Sequence, residues 1–323
     1  VLRVPTSIEA ALAIGLDLRE WVDQGIVDVL VGEEIENSES VSDPSADFRE
    51  LVAAAKGSEC RVHAAVYSHL DSDRLNEATI EMIRAAACNY WDQDVDGLYL
   101  AQWFSQWPYK APFYEKLREL PHPDVMAPKD KVYHVPTETG RSMPTQEGPM
   151  AYVAAQRARL SNPLMSAGPE LIQRLPVGLE VGKPATVQFT ISDNLPRWDR
   201  VGRVYEVLLR VRVTESTEMD RFRFKLNGEE LPDTLLRKIN RMYLMSAPRY
   251  RVRGYWYVFR LDREHWPARG LNEFEVTLLV RDPDVTPPII LRDVELDIKY
   301  LMGKNYHRGF VDPDLGPYEH AAE

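Results

Sequence analysis

Residues 26–40 read IVDVLVGEEIENSES. A run of branched apolar residues stops at two adjacent carboxylates, Glu33 and Glu34, and gives way to polar sequence. Val and Ile fit the pleated surface of a sheet, and a nearly continuous apolar run suits a parallel strand covered on both faces. The residues just before it, LDLREWVDQG, read as a helix. Asp17 can cap it, Glu20 follows three residues later, Leu18, Trp21 and Val22 share one side, and Gly25 ends it.

The same alternation extends in both directions. Upstream, VLRVP is a short apolar run closed by Pro5, followed by Thr6 and Glu9 in capping-box spacing. Ile8, Ala11, Leu12 and Ile14 then recur at helical spacing before Gly15. Downstream, ADFRELVAAAKG predicts a helix, CRVHAAVYSH a strand, LNEATIEMIRAAACNYWDQ a helix, VDGLYLAQWF a strand and APFYEKLREL a short helix. Strands and helices joined by short connections predict βα units in a parallel sheet. Four such units precede residue 125, and an eight-stranded barrel takes about 250 residues. The expectation for 1–125 is therefore half of a TIM-type (β/α) barrel.

Beyond that point the period changes. Residues 126–170 read as a connection with a strand in KVYHVP and a helix in PMAYVAAQRARL. From 171 to 310 apolar residues alternate with polar ones: Val187, Phe189 and Ile191; Val207, Leu209, Val211 and Val213; Phe222, Phe224 and Leu226. Asn227-Gly228 is a hairpin signal. This predicts an antiparallel β-sandwich of a jelly-roll or carbohydrate-binding kind, followed by a tail over 311–323. Arg210 and Arg212, opposite the apolar set, are expected on a solvated outer face.

Composition narrows the function classes. The 323 residues carry 50 acidic against 39 basic side chains, a net charge of −11, which argues against a nucleic-acid phosphate partner. Seven Trp and fifteen Tyr are enough to supply stacking faces for sugars as well as core. Cys60 and Cys88 lie in apolar segments and read as buried free thiols. No stretch approaches the roughly 18 consecutive apolar residues of a membrane span. VLRVPTSIEA lacks the basic start and apolar run of a signal peptide, and it lacks an initiator Met, so a processed chain or a piece of a longer one is expected. Compartment stays open.

In parallel βα architectures the strand C-terminal ends share one rim, and reactive side chains collect there. That rule selects Arg3; Glu33 and Glu34; Tyr67, Ser68 and His69, with Asp71 close behind; and Gln102, Trp103 and Trp107. Glu33, Glu34 and His69 are the catalytic candidates; Arg3, Tyr67, Gln102, Trp103 and Trp107 are the substrate-binding ones. Carboxylates can perform both halves of glycoside cleavage, as acid and as nucleophile or base. Glu33 and Glu34 are neighbours on extended chain and point to opposite sides, so they are not expected to form the pair themselves. No phosphate loop, dinucleotide fingerprint, nucleophile elbow or zinc motif occurs, and no cofactor or catalytic metal is implied. SDNLPRWDR offers Asp193 and Asp199 as oxygen donors for a calcium, though the spacing is not that of an EF-hand loop.

Three stretches carry a family resemblance. RVPTSIEAALAIGLDLREWVDQGIVDVLVGEE, VDGLYLAQWF and DVELDIKYLMGKNYHRG resemble the C-terminal part of bacterial family-10-like glycosyl hydrolase proteins, in which a TIM barrel precedes a β-sandwich. The resemblance implies a glycoside hydrolase acting on poly- or oligosaccharide. The alternative on the same scaffold is a non-catalytic carbohydrate-binding or structural assembly protein. Two departures stand out. The barrel half that carries the family's acid/base carboxylate has no counterpart, and the strand ending VYSH has no Glu where a nucleophile is expected. Half a barrel would leave open edges. An N-terminal barrel half is therefore expected as partner, cleaved from the same polypeptide or separately encoded, or else a second copy of this chain.

Overall fold

The computed structural model describes residues 1–33, 43–67, 78–101, 111–135, 175–240 and 255–301. The first strands are β1 (Leu2–Pro5), β2 (Val29–Glu33), β3 (Arg61–Tyr67) and β4 (Gly97–Ala101). They form one parallel sheet in chain order, with Arg3 opposite Val31, Gly32 opposite Ala64 and Tyr67 opposite Ala101. Helices α1 (Ile8–Ala13), α2 (Leu18–Asp23), α3 (Arg49–Ala55) and α4 (Ile80–Trp91) lie between the strands in sequence. Right-handed crossovers place such helices on one side of the sheet. Val4, Leu30, Val62, Ala64 and Val66 accordingly share a core with Leu18, Leu51, Ile83 and Tyr90.

The expected partial (β/α) barrel is not formed. The strands make an open sheet, and among the described residues β1 and β4 each have a strand on one side only. Periodicity predicts strand and crossover alike in open and closed sheets; closure depends on strand tilt and stagger. The second face of the sheet carries a separate small cluster of Val31, Ala65, Tyr67 and Ala101.

Local signals act largely as anticipated. Asp17 caps α2 through Glu20 N at 3.1 Å, and Gly25 follows with φ of 65°. The α1 cap is Ser7 rather than Thr6, accepting from Ala10 N. Ala86, Ala87 and Tyr90 of α4 belong to the parallel-sheet core, whereas Ala85 belongs to the second core. Met82 through Tyr90 are all buried.

After α5 (Ala111–Glu119) and α6 (Pro123–Met126) the chain enters two antiparallel sheets. The further strands are β5 (Lys131–His134), β6 (Val177–Gly178), β7 (Pro184–Ile191), β8 (Val204–Thr214), β9 (Arg221–Leu226), β10 (Glu229–Glu230), β11 (Leu236–Asn240), β12 (Tyr255–Arg260), β13 (Gly270–Val280) and β14 (Ile290–Tyr300). Helix α7 (Leu195–Arg200) follows β7. One sheet runs β10-β9-β13-β7 and the other β11-β12-β8-β14-β5, with β6 also on β14. They face each other across a shared core, where Phe224 of β9 meets Tyr257 and Phe259 of β12 at centroid distances of 5.0 and 5.2 Å. Asn227 and Gly228 take φ of 52° and 84° in the β9–β10 hairpin, as a two-residue turn requires.

Two readings are amended. The KVYHVP strand is present, but it is an edge of the sandwich, paired with β14. Arg212 is buried rather than solvated, ion-paired with Asp293, and Arg210 reaches Glu295 at 3.0 Å. β8 and β14 both alternate charged with apolar residues, and their register sets opposite charges side by side.

Helix α4 closes one side of the sandwich. β5 and β7 are the edges of the two sheets, and α4 contacts both. Asn89 Nδ2 donates to Thr190 O at 2.7 Å on β7 and to Pro44 O at 2.6 Å. Beside it, Lys131 Nζ reaches Asp193 at 2.9 Å, with both side chains 1% exposed. Tyr133 and Tyr300 donate their hydroxyls to the same carboxylate. Both cysteines are free and buried. Among the described residues no helix is long and apolar enough to cross a membrane.

Candidate functional site

The carboxyl edge of the parallel sheet brings together three of the residues selected from sequence. Arg3, Glu33 and Tyr67 come from three neighbouring strands, and all three stand on the face away from the helices. Alternation along each strand dictates this, because Val4, Leu30 and Val66 turn into the helical core. The Arg3 guanidinium donates to Glu33 Oε2 from Nε at 2.9 Å and from Nη2. The Tyr67 hydroxyl donates to the same oxygen at 2.5 Å, and Arg3 Nη2 reaches that hydroxyl at 3.3 Å. Glu33 is 8% exposed and Tyr67 7%, whereas the Arg3 side chain is 46% exposed. The carboxylate is thus inside the rim, and its cation borders solvent.

The backbone under Glu33 is fixed by a close approach. Gly32 turns toward α3, where a Cβ would come within 2.7 Å of Leu51 Cδ1 and 2.8 Å of Phe48 Cδ1. Phe48 is held in turn against Tyr90, edge to face at 4.8 Å. A side chain at position 32 would push the helix from the strand that presents Glu33.

Electrostatics follow from this packing. Hydrogen bonding to Glu33 raises the Arg3 pKa above its ordinary value, with burial opposing. Burial raises the Tyr67 phenol well above its ordinary value; the Glu33 carboxylate adds to this, and Arg3 opposes it. Tyr67 therefore acts as a hydrogen-bond donor at neutral pH, not as a base. Two donors converge on one oxygen and hold the carboxylate in a set orientation.

Two residues on this face were not selected from sequence. His63 and Tyr99 lie further back on β3 and β4, and counting in twos from Tyr67 and Ala101 finds them. Tyr99 is exposed. The His63 ring covers Gly97, whose Cβ would lie 2.8 Å from Nε2. Burial lowers the His63 pKa, opposed by Asp96.

Glu34, His69, Gln102, Trp103 and Trp107 lie outside the described residues, as do Ser68 and Asp71. The calcium reading of SDNLPRWDR gives way to structural roles. Asp193 accepts from Lys131, Tyr133 and Tyr300, Asn194 caps α7, and Asp199 pairs with Arg263 at 2.8 Å. Among the described residues no group of three His, Cys, Asp or Glu is placed to hold a metal ion.

No protein-family model matches the chain, and no curated protein is significantly similar to it. The functional reading therefore rests on the residues and their geometry.

Proposed function

We propose that this chain is a glycoside hydrolase-like protein that handles an oligo- or polysaccharide at the carboxyl edge of its parallel sheet. The observation that carries the reading is the convergence of Arg3 and Tyr67 on one oxygen of Glu33. An oriented carboxylate at a strand-end rim is what a nucleophile or general base of sugar chemistry requires. In this reading Glu33 attacks the anomeric carbon or activates water, Tyr67 and Arg3 fix its orientation, and Tyr99 offers a ring to the sugar. The resemblance of Arg3–Glu34 to bacterial family-10-like glycosyl hydrolase proteins supports the same substrate class.

One observation favours a second reading, a non-catalytic carbohydrate-binding or assembly protein. Among the described strand ends of the parallel sheet Glu33 is the one carboxylate, and glycosidic cleavage takes two. A panel of polysaccharides, scored for new reducing ends and for binding, separates the two. Turnover in the wild type that falls at least about 10³-fold in Glu33→Gln supports catalysis, since removing a nucleophile or base removes its whole contribution. Unchanged turnover in Glu33→Gln refutes the assignment. Binding without turnover favours the second reading.

The proposal includes a partner. β1 and β4 are edges among the described residues, and an exposed edge is a template for pairing. An N-terminal companion, cleaved or separately encoded, or a second copy would cover one of them. Native mass measurement of the purified protein is expected to show more than one chain; a stable species with the mass of a single chain contradicts this.

A further inference from the structure

Helix α7 and the start of β8 present a cationic surface in an acidic chain. Arg197 and Arg200 are exposed and three residues apart, so they share a side of the helix. Arg203 follows after Gly202. The guanidinium carbons of Arg197 and Arg203 lie 5.2 and 5.8 Å from the centre of the Trp198 ring. The surface is held firmly. Asn194 accepts from Arg197 N at 3.0 Å, Trp198 meets Tyr300 edge to face at 6.2 Å, and Arg203 Nε donates to Leu301 O at 2.7 Å.

Among the described residues none of these three arginines has a carboxylate partner. The acids of the same segment are engaged elsewhere: Asp199 pairs with Arg263, and Glu206 with Arg260 and Lys299. Like charges at helical spacing repel, so the arrangement does not serve the helix. With a net charge of −11 the chain as a whole repels a polyanion, and screening over about 10 Å at 0.1 M salt confines the attraction to this surface. The guanidinium fork takes a planar carboxylate with two parallel hydrogen bonds. Beside the arginines Val201 is 65% exposed and Tyr205 48%. An exposed ring next to unpaired guanidinium groups suits a chain that carries both C–H faces and carboxylates.

We propose that this surface holds a carboxylated polysaccharide, a chain of uronic acids. Arg197, Arg200 and Arg203 receive its carboxylates, and Tyr205 takes a C–H face of the sugar. The pairing selects the partner: an acidic peptide brings carboxylates without a sugar face, and a neutral glycan brings the face without the charge. The site is on the sandwich and does not rest on the reading of the Glu33 rim.

The test is a calorimetric titration of the full chain with oligogalacturonate, its methyl ester, polyglutamate and phosphatidylserine vesicles. Saturable binding of oligogalacturonate is expected, at least about tenfold tighter than binding of the uncharged ester. Arg197→Gln/Arg200→Gln removes two charge contacts near solvent and should weaken it about five- to thirtyfold. Tyr205→Ser removes the ring and should weaken it about two- to tenfold. An unchanged circular dichroism spectrum verifies the fold of each variant. Glu33→Gln should leave oligogalacturonate affinity unaltered, which keeps this result separate from the fate of the rim. Absence of saturable binding, equal binding of the ester, polyglutamate or vesicles bound as tightly as the sugar, or undiminished binding by either arginine or tyrosine variant overturns the proposal.

Discussion

Replacing Lys131 by Met is expected to be among the most damaging single changes outside the rim. All three ammonium protons are engaged: with Asp193 Oδ1 at 2.9 Å, Ala127 O at 2.8 Å and Lys129 O at 3.1 Å. Met keeps the stem's volume and removes the charge. Asp193 then stays buried with two tyrosine donors and no cation. Breaking a buried pair from one side costs about 3–5 kcal/mol. For a chain of this size that lowers Tm by on the order of 10 °C. The assay is urea unfolding followed by tryptophan fluorescence, on Lys131→Met, Asp193→Asn and the double variant. The double variant removes both charges together and should recover at least about 2 kcal/mol relative to the sum of the singles. A loss under about 1 kcal/mol in Lys131→Met, or strict additivity in the cycle, refutes the view that this pair holds β5 to the end of β7.

Two further outcomes follow from packing and burial. Gly32→Ala should cost about 1–3 kcal/mol by overpacking, because the new methyl meets Leu51 and Phe48; chemical unfolding measures it, and a neutral result means that α3 yields freely. Asp297 is buried, and burial raises its carboxyl pKa, with Arg210 and Lys299 opposing. Its folded pKa is above the unfolded value near 4, so the folded state retains a proton that the unfolded state releases. This contribution makes stability decline as pH rises through the window above about 4. Asp297→Asn should flatten that decline in unfolding curves taken from pH 4 to 7, and an identical slope in wild type and variant contradicts it.

Much of the organisation was legible because it depends on short-range periodicity. Asp17 and Gly25 bracket α2, Asn227-Gly228 turns the hairpin, and the alternation in β7 and β8 assigns Val187, Phe189, Leu209 and Val211 to the core. The strand-end rule, applied without a motif, selected Arg3, Glu33 and Tyr67, which touch. What failed to come through depends on distant partners. The open or closed state of the sheet is a matter of stagger between strands, to which an apolar run is indifferent. β5 is four residues long, and its place is decided by β14, far along the chain. The burial of Arg212 depends on Asp293 in the same way, although the charges of DVELDIK, read beside those of LLRVRV, were a usable signal.

The position of α4 has a consequence for anyone who would divide this protein. Composition invites a cut near residue 125, with an α/β piece before it and an all-β piece after it. Such a cut would strip the later piece of the helix that seals its flank, baring Thr190 and the Lys131–Asp193 pair to water. It would leave the earlier piece with Asn89 holding Pro44 O alone, its Thr190 acceptor gone. Neither product is a natural unit, and heat or urea should melt the two together in a single step.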